Sequence, residues 1–175
     1  MKPIETERTY LRRFCSDDLA AVHAFCSQPE IEAVGFAVHK TMEDSEKQLE
    51  RWMAYENAFA VVLKENGAAI GYLIVNNDSE DGLPDVKELG YALNRDYHRR
   101  GIMTEVVRSA LDELFSEGIR EVWACCFQNN LPSKGLIEKV GFSFVQEGTY
   151  SSESLHTVFS SYEYRMTKDE WEKRK

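Results

Sequence analysis

The segment Tyr97-His98-Arg99-Arg100-Gly101-Ile102-Met103-Thr104-Glu105 constrains this chain more than any other stretch. After it, Val106, Val107, Ala110, Leu111, Leu114 and Phe115 keep helical spacing, and Gly118 stops the pattern. Before it, Val86 to Leu93 alternates as a strand, with Leu89, Tyr91 and Leu93 on one face and Glu88, Gly90 and Ala92 on the other. That second face is unusually empty. The segment thus joins a strand to the N-terminus of an amphipathic helix, where unpaired N–H groups and partial positive charge make a ready site for an anion. Arg99 and Arg100 sit against that dipole, which costs roughly a few tenths of a kcal/mol each. In a chain of net charge −9 they suggest a bound anion, with a solvated basic turn as the alternative. One glycine and two arginines do not decide between the two.

The rest of the chain supplies the elements around this joint. Tyr10 to Phe14 reads as a first strand, and Ser16 is placed to cap a helix with Leu19, Val22, His23 and Cys26 on its apolar face, which makes His23 a core residue. Thr41 is the expected N-cap of a second helix, with Asp44 in its first turn and Met42, Leu49, Trp52 and Met53 along one side. Between them, Glu32 to Lys40 shows no period, is read as an irregular segment suited to function, and leaves His39 exposed. Phe59 to Lys64 and Ala68 to Val75 flank Glu65-Asn66-Gly67, whose Asn-Gly pair offers the positive φ angles of a tight hairpin. Glu121 to Cys126 is a further strand. A helix from about Ser133 to Val140 ends at Gly141, and strands near Phe142 to Tyr150 and Thr157 to Met166 precede a charged tail. This order is α+β with a mixed sheet, and with no repeat or linker beyond a turn-rich stretch from Asn76 to Asp85 it predicts one domain over residues 1–175.

Composition narrows the partners. The four cysteines, Cys15, Cys26, Cys125 and Cys126, have no metal-like spacing and read as free buried thiols. No apolar run approaches the roughly 20 residues of a membrane span, and Met1 to Tyr10 lacks a signal or transit pattern, so a cytoplasmic protein is expected. The acidic balance argues against nucleic acid and anionic membranes and favours a cationic substrate.

Three ordered motifs carry a resemblance. Glu88-Leu89-Gly90-Tyr91-Ala92-Leu93 through Arg100-Gly101-Ile102-Met103-Thr104-Glu105 resembles the acetyl-CoA signature of the GNAT superfamily, and Asn130-Leu131-Pro132-Ser133 through Glu138-Lys139-Val140-Gly141-Phe142 resembles its second half. Thr6-Glu7-Arg8-Thr9-Tyr10-Leu11-Arg12 is similar to the opening of the subgroup that acetylates ribosomal-protein N-termini (alanine or serine). The resemblance spans Thr6 to about Trp171. It implies a mixed, mostly antiparallel sheet of about seven strands flanked by about four helices, with two central strands, Val86 to Leu93 and Glu121 to Cys126, splayed apart.

It also implies that acetyl-CoA is the co-substrate and that no metal is needed. The amides of His98, Arg99, Arg100, Gly101, Ile102, Met103 and Thr104 would cradle its pyrophosphate. The backbone of Tyr91, Ala92 and Leu93 would pair with the pantetheine arm, and Asn130 and Ser133 would lie beside the thioester. His98 departs from the usual Gln or Arg, and Met103 from the usual Gly or Ala, the latter as in the subgroup. Ile137 stands where many members carry a tyrosine that protonates the leaving thiolate, which leaves Ser133 as the nearest polar candidate. Direct attack by a neutral amine is the implied chemistry, with a splayed-strand N–H for the oxyanion. Glu88 is the candidate base, because Gly90 and Ala92 leave room beside it, and a solvated carboxylate is the bland alternative. Glu105 reads as a partner of the helix dipole.

The acceptor is open at this level. A basic protein N-terminus, a small amine such as a polyamine or aminoglycoside, and a noncatalytic acyl-CoA-binding module all fit the motifs; Ile137 favours the last, while Ser133 and Glu88 oppose it. Oligomeric state is not written in the sequence.

Overall fold

A computed structural model describes residues 4–77 and 81–174. The turn-rich stretch expected from Asn76 to Asp85 therefore lies partly outside the described residues.

The elements run β1 (Thr9–Arg13), α1 (Leu19–Cys26), α2 (Met42–Ala54), β2 (Ala58–Leu63), β3 (Ala69–Asn77), β4 (Val86–Leu93), α3 (Ile102–Ser116), β5 (Glu121–Phe127), α4 (Leu131–Val140), β6 (Ser143–Ser152), β7 (Thr157–Thr167) and α5 (Lys168–Glu172). Seven strands form one sheet in the order β1-β2-β3-β4-β5-β7-β6. Every neighbouring pair is antiparallel except β4 and β5, which are parallel and joined by the crossover helix α3.

Helices cover both faces of the first half of the sheet. One face packs on α3 and α4 through Val106, Leu111, Val122 and Ile137. The other packs on α1 and α2 through Val22, Phe25, Trp52 and Tyr72. All of β2 is buried, which is why Ala58 to Leu63 reads as a continuous apolar run rather than an alternation. The apolar stripe of α3 is wholly buried, and each such large side chain contributes about 1.5–3 kcal/mol relative to exposure. At the other end, β6 is an almost fully exposed edge strand.

Several local expectations change. Ser16 does not cap α1; it opens a short 3-10 turn, and Asp18 does the local work by accepting from the Cys15 N–H (2.9 Å) and pairing with Arg12 (2.7 Å). Thr41 and Asp44 do cap α2 reciprocally. The buried side of α2, however, is Ser45, Gln48, Leu49 and Trp52, with Met42 and Met53 exposed, because the aromatic cluster centred on Trp52 fixes the helix's rotation. In the β2–β3 turn only Gly67 has positive φ, and Asn66 uses its side chain to accept from the Ala68 N–H. His39 is half-buried rather than exposed: its ring meets Ser45 Oγ at 3.0 Å, and His23 meets the same oxygen at 2.8 Å. Cys15 is exposed, although all four cysteines are free as expected.

The charged tail also folds. Thr167 and Glu170 cap α5, Trp171 is buried, and its indole N–H donates to Asp112 at 2.8 Å. The described residues therefore hold five α-helices, one more than the count implied by resemblance.

Candidate active site

The geometry of β4 and β5 makes the site. Their parallel pairing runs Val86↔Glu121, Lys87↔Val122 and Glu88↔Trp123 and then stops, although β4 continues to Leu93 and β5 to Phe127. The strands separate from there. Asn94 N–H donates to Ile70 O, so by the alternation of an antiparallel ladder the residues in phase with it, Ala92, Gly90 and Glu88, turn their amides to β3. Leu89, Tyr91 and Leu93 then turn theirs toward β5, where the Leu89 amide closes the last rung of the ladder beside Trp123 and those of Tyr91 and Leu93 face the gap. Tyr91 and Leu93 thus turn backbone groups to the gap, whereas Ala92 offers it none. The Leu93 carbonyl is already engaged, at 2.7 Å, by His98 Nε2, so His98 closes the turn after β4 through its side chain.

That turn continues into α3 by an unusual backbone route. Arg99 has φ +60° and Gly101 has φ +76°. Left-handed residues placed this way make a concave nest of N–H groups, and the strain at a non-glycine residue is the kind found at ligand-holding turns. No side chain caps α3, so its first N–H groups point outward from Gly101 onward, while Ile102 and Met103 anchor the turn in the core. Gln28 fixes the approach, donating to Asn94 Oδ1 and accepting from Arg95 N–H, both at 2.9 Å. Arg100 lies over the Tyr97 ring at 5.3 Å.

Arg8 completes this corner. Its guanidinium donates to Glu105 Oε1 at 2.6 and 3.0 Å, and its Nη2 lies 3.6 Å from where a Cβ on Gly101 would stand. Glu105 therefore does more than face the helix dipole, since its charge next to the nest is offset by Arg8. In the sequence Arg8 sits inside a motif and has no role of its own; the helical position of Glu105, facing the β1 end, is a contact no local pattern reports.

Inside the gap a cavity of about 280 Å³ reaches through the sheet. On the α3/α4 side it is lined by Tyr91, Cys126, Asn130 and Ser133. Asn130 caps α4, accepting from Ser133 N–H at 3.1 Å, and its amide donates to Ala33 O at 2.8 Å. Both ends of that side chain are committed, so Asn130 holds Ser133 in place rather than reaching into the cavity. Ser133 Oγ lies 3.1 Å from Tyr91 Oη. Ile137, one turn further along α4, is fully buried in the apolar core and presents nothing to the cavity.

On the other side the walls are Glu88, Cys125, Tyr150, Phe36, Tyr72 and Asn76. Burial, then Glu88 and Glu163, pushes the Cys125 thiol up; burial, then Glu88 and Glu153, pushes the Tyr150 phenol up. Both stay protonated at neutral pH, which leaves Glu88 as the carboxyl group lining this wall. Of these lining residues, the sequence singles out Glu88 and gives no signal for Cys125 or Tyr150. The irregular segment is pinned here: Ser152 Oγ and Ser154 Oγ donate to Gly35 O at 2.6 and 3.1 Å. Gly35 has φ +86°, and an added Cβ would stand 2.8 Å from the Tyr150 ring, so only glycine lets that ring close over the segment.

Among the described residues no cluster of three or more His, Cys, Asp or Glu could hold a metal, and no helix is long and apolar enough to cross a membrane.

Comparison with known proteins places this geometry. The family model described as acetyltransferase (GNAT) domain matches residues 8–143. A curated relative, the uncharacterized N-acetyltransferase YnaD of Bacillus subtilis, is 24% identical over 173 residues, covering 96% of this chain and 98% of its own. The solved structure of a GNAT-family acetyltransferase from Bacillus anthracis superposes with a TM-score of 0.81 at 21% identity, covering 95% of this chain and 99% of that one. That of the ribosomal-protein-S5-alanine acetyltransferase from Vibrio fischeri gives 0.73 at 17% identity, covering 98% and 99%.

Proposed function

The chain belongs to the GNAT acetyltransferase family and is an N-acetyltransferase; from that premise we propose that it is a single domain moving acetyl from acetyl-CoA to the N-terminal α-amine of a basic protein. One observation carries the reading: the pairing of β4 with β5 ends at Glu88↔Trp123, directly beside a nest of amides at the start of α3. A pantetheine arm fits a gap edged by the amides of Tyr91 and Leu93, and a pyrophosphate fits a nest flanked by Arg99, Arg100 and Arg8. The co-substrate supplies an acetyl thioester, whose thiol leaves readily at a pKa of about 8.5 by analogy with cysteine.

The protein's own groups divide the remaining work. Glu88 accepts the amine proton, directly or through water, from the side of the cavity where Cys125 and Tyr150 stay neutral. A β4 amide meets the oxygen that gains charge. Ser133 donates a hydrogen bond to the departing sulfur, in place of the tyrosine whose position Ile137 fills. The cavity brings both substrates together on opposite sides of the sheet, so effective concentration replaces a chance encounter.

Two considerations favour an α-amine. With a pKa of about 7.7–8.0 against about 10.4 for lysine, delivering it neutral at pH 7 costs roughly 3–4 kcal/mol less, which suits a single carboxylate base. A net charge of −9 and carboxylates at Glu88, Glu153 and Glu163 around the acceptor wall attract a basic polypeptide. The test compares one basic peptide with its N-terminus free, the same peptide blocked with its lysines intact, and spermidine. Turnover confined to the free peptide, slowing with added salt, is the expected result. Equal turnover on the blocked peptide or on spermidine would overturn the α-amine reading.

A further inference from the structure

Ser133 does not stand alone in the cavity. Its hydroxyl oxygen lies 3.1 Å from the phenol oxygen of Tyr91, which reaches it from β4 on the same side of the sheet. We infer that Tyr91 is a positioning residue that, through this hydrogen bond, commits the Ser133 hydroxyl proton to the leaving sulfur. The inference rests on the proposal above that Ser133 partners the sulfur.

The direction of the bond follows from proton counting. A serine hydroxyl has one proton and two acceptor sites, and a phenol has one proton to give. Among the described residues Ser133 is the hydrogen-bond partner of Tyr91 Oη. Were Ser133 to donate, the proton of a phenol packed against the core would have no protein acceptor among the described residues, which is the expensive arrangement. Tyr91 therefore donates. Burial pushes its pKa up, so the proton to be donated is present throughout the neutral range.

Once Ser133 Oγ accepts from Tyr91, its own proton is free to turn into the cavity. Serines in the first turns of helices otherwise tend to bond back to nearby carbonyls. The carbonyl three residues back, that of Asn130, already accepts from Lys134 N–H at 3.0 Å. The Tyr91 bond disfavours that retreat and also makes the serine proton a better donor, since chained hydrogen bonds polarise each other. No proton changes owner at Ser133. The amine nitrogen bonds to the acetyl carbon as the C–S bond breaks, the C–S electron pair stays on sulfur under the Ser133 hydrogen bond, the amine proton passes through Glu88 to solvent, and the thiolate takes up one proton from solvent.

The arrangement also accounts for Ile137. A tyrosine at that position would present its hydroxyl from α4; here α4 spends the position on the core, and β4 supplies the phenol from the facing strand.

The experiment is a double-mutant cycle on the whole protein, using Tyr91→Phe, Ser133→Ala and the pair, with kcat, KM for acetyl-CoA and thermal stabilisation by CoA as readouts. Tyr91→Phe keeps the ring and its packing. Each single variant should lose about tenfold or more in kcat, with KM and the CoA shift unchanged, and the double variant should be no slower than Ser133→Ala. Ser133→Thr, which keeps the hydroxyl, should retain activity and remain sensitive to Tyr91→Phe. A Tyr91→Phe enzyme with wild-type kcat, or one that loses a further tenfold in the Ser133→Ala background, overturns the Tyr91 inference alone. Wild-type kcat in Ser133→Ala overturns the sulfur-partner reading beneath it.

Discussion

The two sides of the cavity are built from different materials. On the α3/α4 side the binding surface is mostly backbone: the edge amides of β4, a nest formed by left-handed Arg99 and Gly101, and the uncapped start of α3. On the α1/α2 side it is side chains, Glu88, Cys125, Tyr150, Phe36 and Tyr72, contributed by β4, β5, β6, β3 and an irregular segment pinned by Ser152 and Ser154. Backbone recognition needs only that certain residues permit a conformation, so one cofactor can be held across wide sequence change. Side-chain recognition depends on which residues are there, so it can diverge to a new acceptor without disturbing the other wall.

The largest effect that would break this contrast comes from Gly101→Glu. At φ +76° any other residue is strained by about 1–2 kcal/mol, and glutamate adds a carboxylate at the nest. Thermal stabilisation by CoA should vanish, because that shift reports binding to the folded state. An unchanged shift would show that the anion sits elsewhere.

Glu88→Gln should do the opposite. It leaves the CoA shift intact and lowers kcat by about 100-fold, removing the rise in rate with pH that a carboxylate base must show as it deprotonates. A wild-type kcat and pH profile in the glutamine variant would assign the base elsewhere.

A smaller effect sharpens the boundary between the walls. Arg8→Ala removes the partner of Glu105 and leaves a carboxylate beside the nest, one of whose oxygens, Oε2, is already buried without a partner. CoA affinity should fall several-fold, within the roughly 1 kcal/mol expected of a half-exposed ion pair, and Glu105→Gln should restore much of it. Equal affinity in Arg8→Ala would confine Arg8 to holding β1 against α3.

The same contrast explains what the sequence disclosed. The nest side is contiguous, so Arg99 to Thr104 and the spacing from Val106 to Phe115 are legible as a strand, a turn and a helix that point to an anion. The acceptor side is assembled across the chain. Glu88 stands out because its neighbours Gly90 and Ala92 leave a conspicuous gap, but Cys125 and Tyr150 look like ordinary strand residues, and the lining of Phe36 depends on a segment without period. Where expectations failed, tertiary packing overrode a local signal. The Trp52 cluster turns Met42 and Met53 outward, Asp18 rather than Ser16 fixes the turn that precedes α1, and a buried Trp171 converts a charged tail into α5. Ala92 falls among the expected cofactor-facing amides because a motif names neighbours together, while a strand turns alternate amides to opposite edges.

The central claim is that backbone at the gap holds the co-substrate, and amide hydrogen exchange with and without CoA reads it residue by residue. CoA should slow exchange about tenfold or more at Tyr91 and Leu93, whose amides turn into the gap, and at Ile102 to Thr104, which open the uncapped α3, while Ala92 and the β2–β3 ladder change little. Protection confined to other surfaces, with those amides exchanging as in the free protein, would contradict the account.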